Sequence, residues 1–154
     1  MKKLKTLSLF LICILTLTGC NSKDSENILS FQNELNSVLA EIEYIHVKIN
    51  SIDTTSADAS DDALDYLSEL NDAFADLAKI NVTDDDHLYI KDLASEGADY
   101  MSQAYELYQK AYGNDTFDEK NADLAYKYLE RATKRVRVII SMLHGEVPDD
   151  VIIH

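Results

Sequence analysis

The sequence predicts an all-α protein that folds as an up-down-up-down antiparallel four-helix bundle. Apolar residues recur every three or four positions in four long segments, which is the period of one helix face. Short polar stretches separate the segments, and one Pro and four Gly in 154 residues fit a helical chain. Because the connections are short, consecutive helices are expected to pack antiparallel within one domain.

The first two segments each carry a continuous apolar stripe. Helix one is predicted at about residues 25 to 53 and helix two at about residues 60 to 80, with Ser60 as the N-cap. Residues 53–59 are rich in Ser, Thr and Asp and interrupt the pattern between the two helices. The predicted core residues are Ile28, Phe31, Leu35, Val38, Ile42, Ile45, Ile49 and Ile52 in helix one, and Ala63, Leu67, Leu70, Phe74 and Leu77 in helix two.

The last two helices are predicted at about residues 84 to 112 and about residues 117 to 144. Thr83 is the expected N-cap of helix three, and Gly113 its expected left-handed C-cap. Thr116 and Glu119 have the spacing of a capping box for helix four. The central stripes are Ile90, Ala94, Gly97, Met101, Ala104, Tyr108 and Ala111, then Ala122, Ala125, Leu129, Ala132, Val136, Ile139 and Leu143. Their small residues predict that this helix pair packs closely, with Gly97 at a close contact.

The first nineteen residues have the organisation of a secretory signal. Lysines at positions 2, 3 and 5 precede an apolar run from Leu7 to Leu17, which small residues close. The run is shorter than the roughly 20 residues that a membrane-spanning helix needs. The sequence Leu17-Thr18-Gly19-Cys20 then resembles the lipobox of bacterial lipoproteins, an aliphatic residue and two small residues before an obligatory Cys. The resemblance covers the leader alone.

This resemblance implies diacylglycerol transfer to the Cys20 thiol, cleavage before Cys20 and, often, acylation of the new amino terminus. Two or more acyl chains hold a protein stably at a membrane. The chain is therefore expected to comprise a signal peptide at 1–19, a lipidated Cys and tether at 20–26, the bundle at 27–145 and a C-terminal tail at 146–154. Its expected location is the extracytoplasmic face of the cell membrane or the outer membrane. Because Cys13 lies in the leader, no free thiol remains for disulfide, catalytic or metal chemistry.

Charge is unevenly distributed along the chain. Lys and Arg number 14 against 28 Asp and Glu, and the net charge of −14 argues against nucleic acid as a partner. An acidic stripe on helix two contains Asp62, Asp65, Glu69, Asp72 and Asp76, and a basic stripe on helix four contains Lys120, Lys127, Arg131, Lys134 and Arg137. Each stripe is either a solvated face with i,i+4 ion pairs or, on helix four, a docking surface for a protein or an anionic wall polymer.

Seven of the nine tyrosines lie between Tyr89 and Tyr128, and several surround the hairpin between helices three and four. Counted from the lipid, this hairpin is at the end of the bundle furthest from the membrane. Tyrosine is common at recognition surfaces, although packing against the alanines is the alternative and is favoured for Tyr108. The predicted partner-binding residues are Tyr105, Tyr112, Tyr126, Tyr128, Lys127, Arg131 and Lys134.

The leading functional hypothesis is a non-enzymatic, membrane-anchored protein that binds an envelope protein or polymer. The alternative is a bundle that binds a small ligand, metal or haem through His46, His87 or Met101. Glu43 and His46 have the Glu-x-x-His spacing of di-iron bundles, but they lie beside the apolar stripe, and the other stripes contain no carboxylate. The sequence contains no haem-attachment, EF-hand, zinc-protease or phosphate-loop motif. No catalytic residue, metal ligand or cofactor is therefore predicted.

Overall fold

The computed structural model describes residues 24–82, 87–113 and 116–146, and these form an up-down-up-down four-helix bundle. The helices are α1 (Asp24–Asn50), α2 (Ala59–Lys79), α3 (Leu88–Tyr112) and α4 (Glu119–Leu143), and the described ranges contain no strand. The predicted fold class is confirmed. The leader, Cys20, residues 21–23, Thr83 and the tail from residue 147 onward lie outside the described residues.

Most of the core is built from the predicted stripes, and Leu39, Ala73 and Ile80 also belong to it although no predicted stripe contained them. The largest fully buried side chains come from all four helices, and each belongs to a predicted stripe: Phe74, Leu35, Leu70, Leu77, Ile90, Met101 and Ile139. Val38, Ile49, Tyr108, Leu129 and Leu143 are partly buried and pack against this core. Because an apolar spacing of three and four residues keeps side chains on one helix face, the spacing alone selected the buried face of each helix.

Helices α3 and α4 form the most extensive helix pair of the bundle, as their small residues predicted. Ala104 and Ala111 of α3 and Ala125 and Ala132 of α4 are fully buried. A Cβ atom placed on Gly97 would lie 3.4 Å from the Cβ of Arg135 and 3.4 Å from Cε1 of Phe74. Three helices therefore meet at Gly97, which confirms the predicted close contact there.

Several predicted helix ends were wrong by a few residues. Helix α1 ends at Asn50 rather than near residue 53, because the Asp53 carboxylate accepts hydrogen bonds from the backbone N–H and hydroxyl of Thr55, at 2.9 and 2.7 Å. Helix α2 begins before Ser60, with Asp58 as N-cap, because the Asp58 carbonyl already accepts from the Asp62 N–H at 2.9 Å. Helix α3 begins at Leu88, with His87 as its N-cap.

The hairpin between α3 and α4 also differs from the prediction. Asp118, not Thr116, caps α4, and its carboxylate accepts from the backbone N–H of Asn121 at 3.1 Å. Gly113 has φ −79°, so it is not the predicted left-handed cap. Its N–H donates to the Gln109 carbonyl at 2.8 Å, which keeps the chain right-handed, and a Cβ on Gly113 would lie only 2.5 Å from that oxygen. Close approach, rather than positive φ, favours glycine here.

A glycine with left-handed backbone conformation is found at the end of α4. Gly145 has φ 74°, directly after the C-cap residue His144. The Gly145 N–H donates to the Met142 carbonyl at 3.0 Å and the Glu146 N–H to the Ser141 carbonyl at 2.9 Å, which is the hydrogen-bond pattern of a Schellman motif. Glycine suits this position because it has no Cβ to strain the backbone.

Candidate interaction surface on the fourth helix

The outer face of α4 is basic. Lys120, Lys127, Arg131 and Lys134 are exposed and follow one another at helical spacing. We call these four residues the basic face of α4. On a chain whose net charge is −14, such a face is a local region of opposite sign. Exposed Asp123 and Glu130 lie among these residues, so the face has four positive and two negative charges and remains positive. It can therefore attract a negatively charged group that the remainder of the molecule repels.

Arg131 is held in place by aromatic rings. Its guanidinium carbon lies 5.7 Å from the ring centroid of Tyr100 on α3 and 5.5 Å from that of Tyr128 on α4. The two rings pack against each other with centroids 6.2 Å apart. Both distances from Arg131 are within the range of cation–π attraction. Arg131 is nevertheless exposed, so its N–H groups remain on the surface.

A second arginine supports this arrangement from the next turn of α4. The Arg135 guanidinium carbon lies 5.7 Å from the Tyr100 centroid, and Arg135 Nε forms an ion pair with Glu96 of α3. The half-buried Tyr100 ring therefore contacts two arginines, each 5.7 Å from its centroid. Tyr100, Tyr128, Arg131 and Arg135 together are called the Arg131 cluster below. Tyr128 and Arg131 were among the predicted site residues, but Tyr100 and Arg135 were not. Their contribution depends on the register between α3 and α4, which the sequence pattern does not define.

The predicted tyrosine patch is divided between two sites. Tyr112 stacks on Tyr108 with centroids 6.2 Å apart and contacts Phe117 at 5.3 Å, on the hairpin side of the bundle. Phe117 and Tyr126 are exposed, whereas Tyr105 is partly buried and packs against the core. Tyr126 and Tyr128 cannot share a surface, because residues two apart on a helix point in nearly opposite directions. Phe117 was not among the predicted site residues, although a large apolar residue in a polar loop is a recognisable signal of an exposed contact.

Burial also affects how these tyrosines ionise. Burial raises the pKa of Tyr108, and its neighbours Tyr112 and Tyr126 raise it further. Burial likewise raises the pKa of Tyr112, and burial together with Glu130 raises that of Tyr126. These hydroxyls therefore stay protonated at neutral pH, so they are hydrogen-bond donors and neutral rings rather than acid–base groups.

The acidic stripe of α2 is exposed along its whole length, as a solvated face requires. Two of its members are paired with lysines: Lys48 Nζ lies 2.7 Å from Glu69 Oε2, and Lys79 Nζ lies 2.8 Å from Asp76 Oδ1. Lys48 also lies above the Tyr66 ring, 4.3 Å from its centroid. We call Asp62, Asp65, Glu69, Asp72 and Asp76 the acidic face of α2.

His46 has an incompletely satisfied ring. Its Nδ1–H donates to the Ile42 carbonyl at 2.9 Å, and because a carbonyl can only accept, Nε2 is left with the lone pair. That Nε2 atom is buried and has no hydrogen-bond partner. Burial lowers the pKa of His46, the Ile42 hydrogen bond partly offsets this effect, and the nearby positive charge of Arg137 lowers the pKa further. The ring is consequently neutral at physiological pH.

The two candidate histidine ligands, His46 and His87, are not brought together. The His87 ring packs against Phe31 with centroids 5.7 Å apart, and Phe31 is about 22 Å along α1 from His46. Met101 is fully buried in the core, and Glu43 is half-exposed. Within residues 24–82, 87–113 and 116–146, no group of three His, Cys, Asp or Glu side chains is placed to hold a metal ion.

Comparison with known proteins identifies no relative of this chain. Neither family models, nor curated proteins, nor solved structures give a match to this chain. Of the helices in the described ranges, none combines the length and apolarity needed to cross a membrane.

Proposed function

We propose that this protein is a lipid-anchored, extracytoplasmic lipoprotein that binds an acidic partner through the basic face of α4. The observation that carries the binding role is the Arg131 cluster, an exposed arginine fixed over two tyrosines on an otherwise acidic molecule. The anchor rests on the lipobox-like sequence that ends at Cys20. The membrane partner is thus the lipid at the amino terminus, and the second partner is an envelope protein or an anionic wall polymer.

A lipid on Cys20 would set the orientation of the bundle. Residues 21–23 alone separate Cys20 from the first residue of α1, so the start of α1 would lie close to the membrane. In an up-down-up-down bundle, α1 and α3 then run away from the membrane, and α2 and α4 run back toward it. The basic face of α4 would begin at the far end and extend toward the lipid surface.

We prefer the basic face of α4 to the other exposed charges as the binding surface because Arg131 is already ordered. An isolated surface ion pair contributes little, since two long side chains must be ordered to form it. Arg131 already lies against Tyr100 and Tyr128, so less side-chain freedom is lost when it binds a carboxylate or phosphate. Arginine and tyrosine are also among the side chains that most often contribute strongly to binding at interfaces.

We propose binding rather than catalysis. The carboxylates of α2 are exposed on an outer helix face, and exposed carboxylates lack the burial that tunes an acid or a base for catalysis. The alternative of a small-ligand or metal site within the bundle makes a separate prediction. A visible absorption band or a stoichiometric metal in the purified protein would support that alternative.

The anchor is tested by replacing the lipidated residue. Cys20→Ala is expected to leave the precursor uncleaved and without diacylglycerol, so that treatment with globomycin, an inhibitor of lipoprotein signal cleavage, changes the wild type and not the variant. A control substitution, Ser22→Ala, retains processing. Processing of Cys20→Ala at the wild-type position would contradict lipid attachment at this residue.

The binding role is tested by crosslinking tagged protein in its own membranes and recovering it in mild detergent. Arg131→Glu is expected to lose the partner that the wild type recovers. Lys91→Glu is the matched control, since it makes the same charge change at an exposed position on α3. Equal recovery with Arg131→Glu and the wild type would refute binding through this face.

A further inference from the structure

The acidic face of α2 and the basic face of α4 have matching lengths. The acidic face runs from Asp62 to Asp76 and the basic face from Lys120 to Lys134, so each covers about 21 Å of helix. Both faces are exposed. Helix α3 packs against both of these helices, whereas α2 and α4 form no comparable contact with each other in the described part of the chain. One molecule therefore presents two complementary surfaces on separate helices.

The two faces also lie at nearly the same height along the bundle axis. Phe74 of α2 and Arg135 of α4 both approach the Gly97 position within 3.4 Å, which places these residues at one level. From that level toward the hairpin end, Asp65 lies about 14 Å away and Lys127 about 12 Å away. The acidic and basic faces overlap over most of their length.

A lipid anchor would hold the acidic and basic faces of neighbouring molecules at the same height above the membrane. Helices α2 and α4 run in the same direction, and all copies held by an amino-terminal lipid stand on the membrane in the same orientation. When two such copies approach side by side, the acidic face of one meets the basic face of the other without a change in height. The two surfaces differ, so the contact is heterologous and can repeat along a row.

We propose that the partner bound by the basic face of α4 is a second copy of this chain, which presents its acidic face of α2. This inference rests on the proposed lipid anchor and on the proposed binding face. Glu69 and Asp76 already have lysine partners, so Asp62, Asp65 and Asp72 are the principal contacts on the acidic side.

Screening decides whether such copies attract or repel each other. At physiological ionic strength the Debye length is about 8 Å, so the repulsion between the net charges of two copies is largely screened across the diameter of a bundle. Charges in direct contact are screened much less. Confinement to a membrane in a common orientation raises the effective concentration of the two faces. Association is therefore expected on the membrane and not in dilute detergent solution, and it should disappear at about 1 M salt, where the Debye length is about 3 Å.

The direct test is zero-length carbodiimide crosslinking of the full chain in its own membranes, with two differently tagged copies expressed together. This reagent joins carboxylates to lysine amines that are already in contact. Crosslinks within one copy between Lys48 and Glu69 and between Lys79 and Asp76 are internal positive controls, since those atoms lie 2.7 and 2.8 Å apart. Between copies, the expected products join α2 carboxylates to Lys127 or Lys120.

Charge exchange provides the decisive control. The variant Asp65→Lys/Asp72→Lys largely neutralises the acidic face of α2 and keeps the basic face of α4. The variant Lys127→Glu/Arg131→Glu abolishes the net positive charge of the basic face and keeps the acidic face. Each variant alone is expected to lose crosslinking between copies, while the two expressed together restore pairing of differently tagged copies. Lys91→Glu should behave as the wild type, and circular dichroism confirms that all variants fold.

The outcomes separate this inference from the function on which it rests. Failure of the wild type to receive lipid at Cys20 would overturn the proposed anchor and, with it, the common orientation of the copies on which this inference depends. A lipidated wild type that recovers a different protein, and loses it in Lys127→Glu/Arg131→Glu without crosslinks between copies, would overturn this inference and leave the binding role intact. Absence of rescue in the mixed variants would likewise overturn it.

Discussion

Enlarging the side chain at Gly97 tests the packing of three helices at one point. A Cβ at this position would lie 3.4 Å from both Arg135 Cβ and Phe74 Cε1, which is the near limit of ordinary van der Waals contact. A methyl group therefore fits, and Gly97→Ala should gain about 0.5 to 1 kcal/mol from improved helix propensity. Gly97→Leu adds three further carbons between Phe74 and Arg135, where overpacking costs about 3 kcal/mol.

After the gain in helix propensity is included, Gly97→Leu should lose about 2 kcal/mol of folding free energy. For a domain of this size that loss lowers Tm by roughly 5 to 10 °C. The assay is thermal melting of the detergent-solubilised protein followed by circular dichroism. Ser95→Leu is the matched control, because Ser95 is exposed on the same helix and its replacement should change Tm little. A Gly97→Leu variant that melts with the wild type would refute the close contact.

Three further predictions concern helix ends and the buried histidine. Asp118→Ala removes the side-chain cap of α4 and should lower the free energy of unfolding in urea by about 1 kcal/mol. Asp123→Ala, at an exposed position of the same helix, should change it little. Equal effects of the two substitutions would contradict the capping role of Asp118. Gly113→Ala places a Cβ 2.5 Å from the Gln109 carbonyl oxygen and should destabilise the folded protein by about 1 to 3 kcal/mol. An unchanged midpoint of urea unfolding would contradict this close approach. Because burial lowers the pKa of His46 below 6.5, the unfolded chain binds the proton first, and stability falls as pH drops below 6.5. His46→Gln should therefore lose less stability than the wild type between about pH 7.5 and about pH 5.5, and a parallel loss in both proteins would show that His46 makes no contribution.

The buried faces of the helices could be predicted from the sequence because they depend on spacing alone. Leu35, Phe74 and Ile139 lie in stripes of three and four residues, and these stripes are the centre of the buried face of their helices. The helix ends could not be predicted in the same way. Thr116 and Asp118 are both chemically suitable caps, and the choice depends on the hydrogen bond from the Asp118 N–H to the Ala111 carbonyl at 3.1 Å, which closes the hairpin.

The candidate surface was predictable in part. The exposed basic residues of α4 followed from their spacing, and the separation of Tyr126 from Tyr128 was available from helix geometry. The contact of Arg131 with Tyr100 was not, because it joins two helices whose register is fixed only by packing around Gly97 and the neighbouring alanines. A sequence pattern defines faces of single helices, whereas a surface made by two helices also requires their relative displacement.

The most direct test of the central claim is the mass of the amino-terminal peptide of protein extracted from its native membranes. The proposed function predicts a peptide that begins at Cys20 and carries a diacylglyceryl group, with or without a further acyl chain on the amino group. A peptide that begins at Met1, or one in which Cys20 has an unmodified thiol, would contradict the lipid anchor and the membrane orientation derived from it.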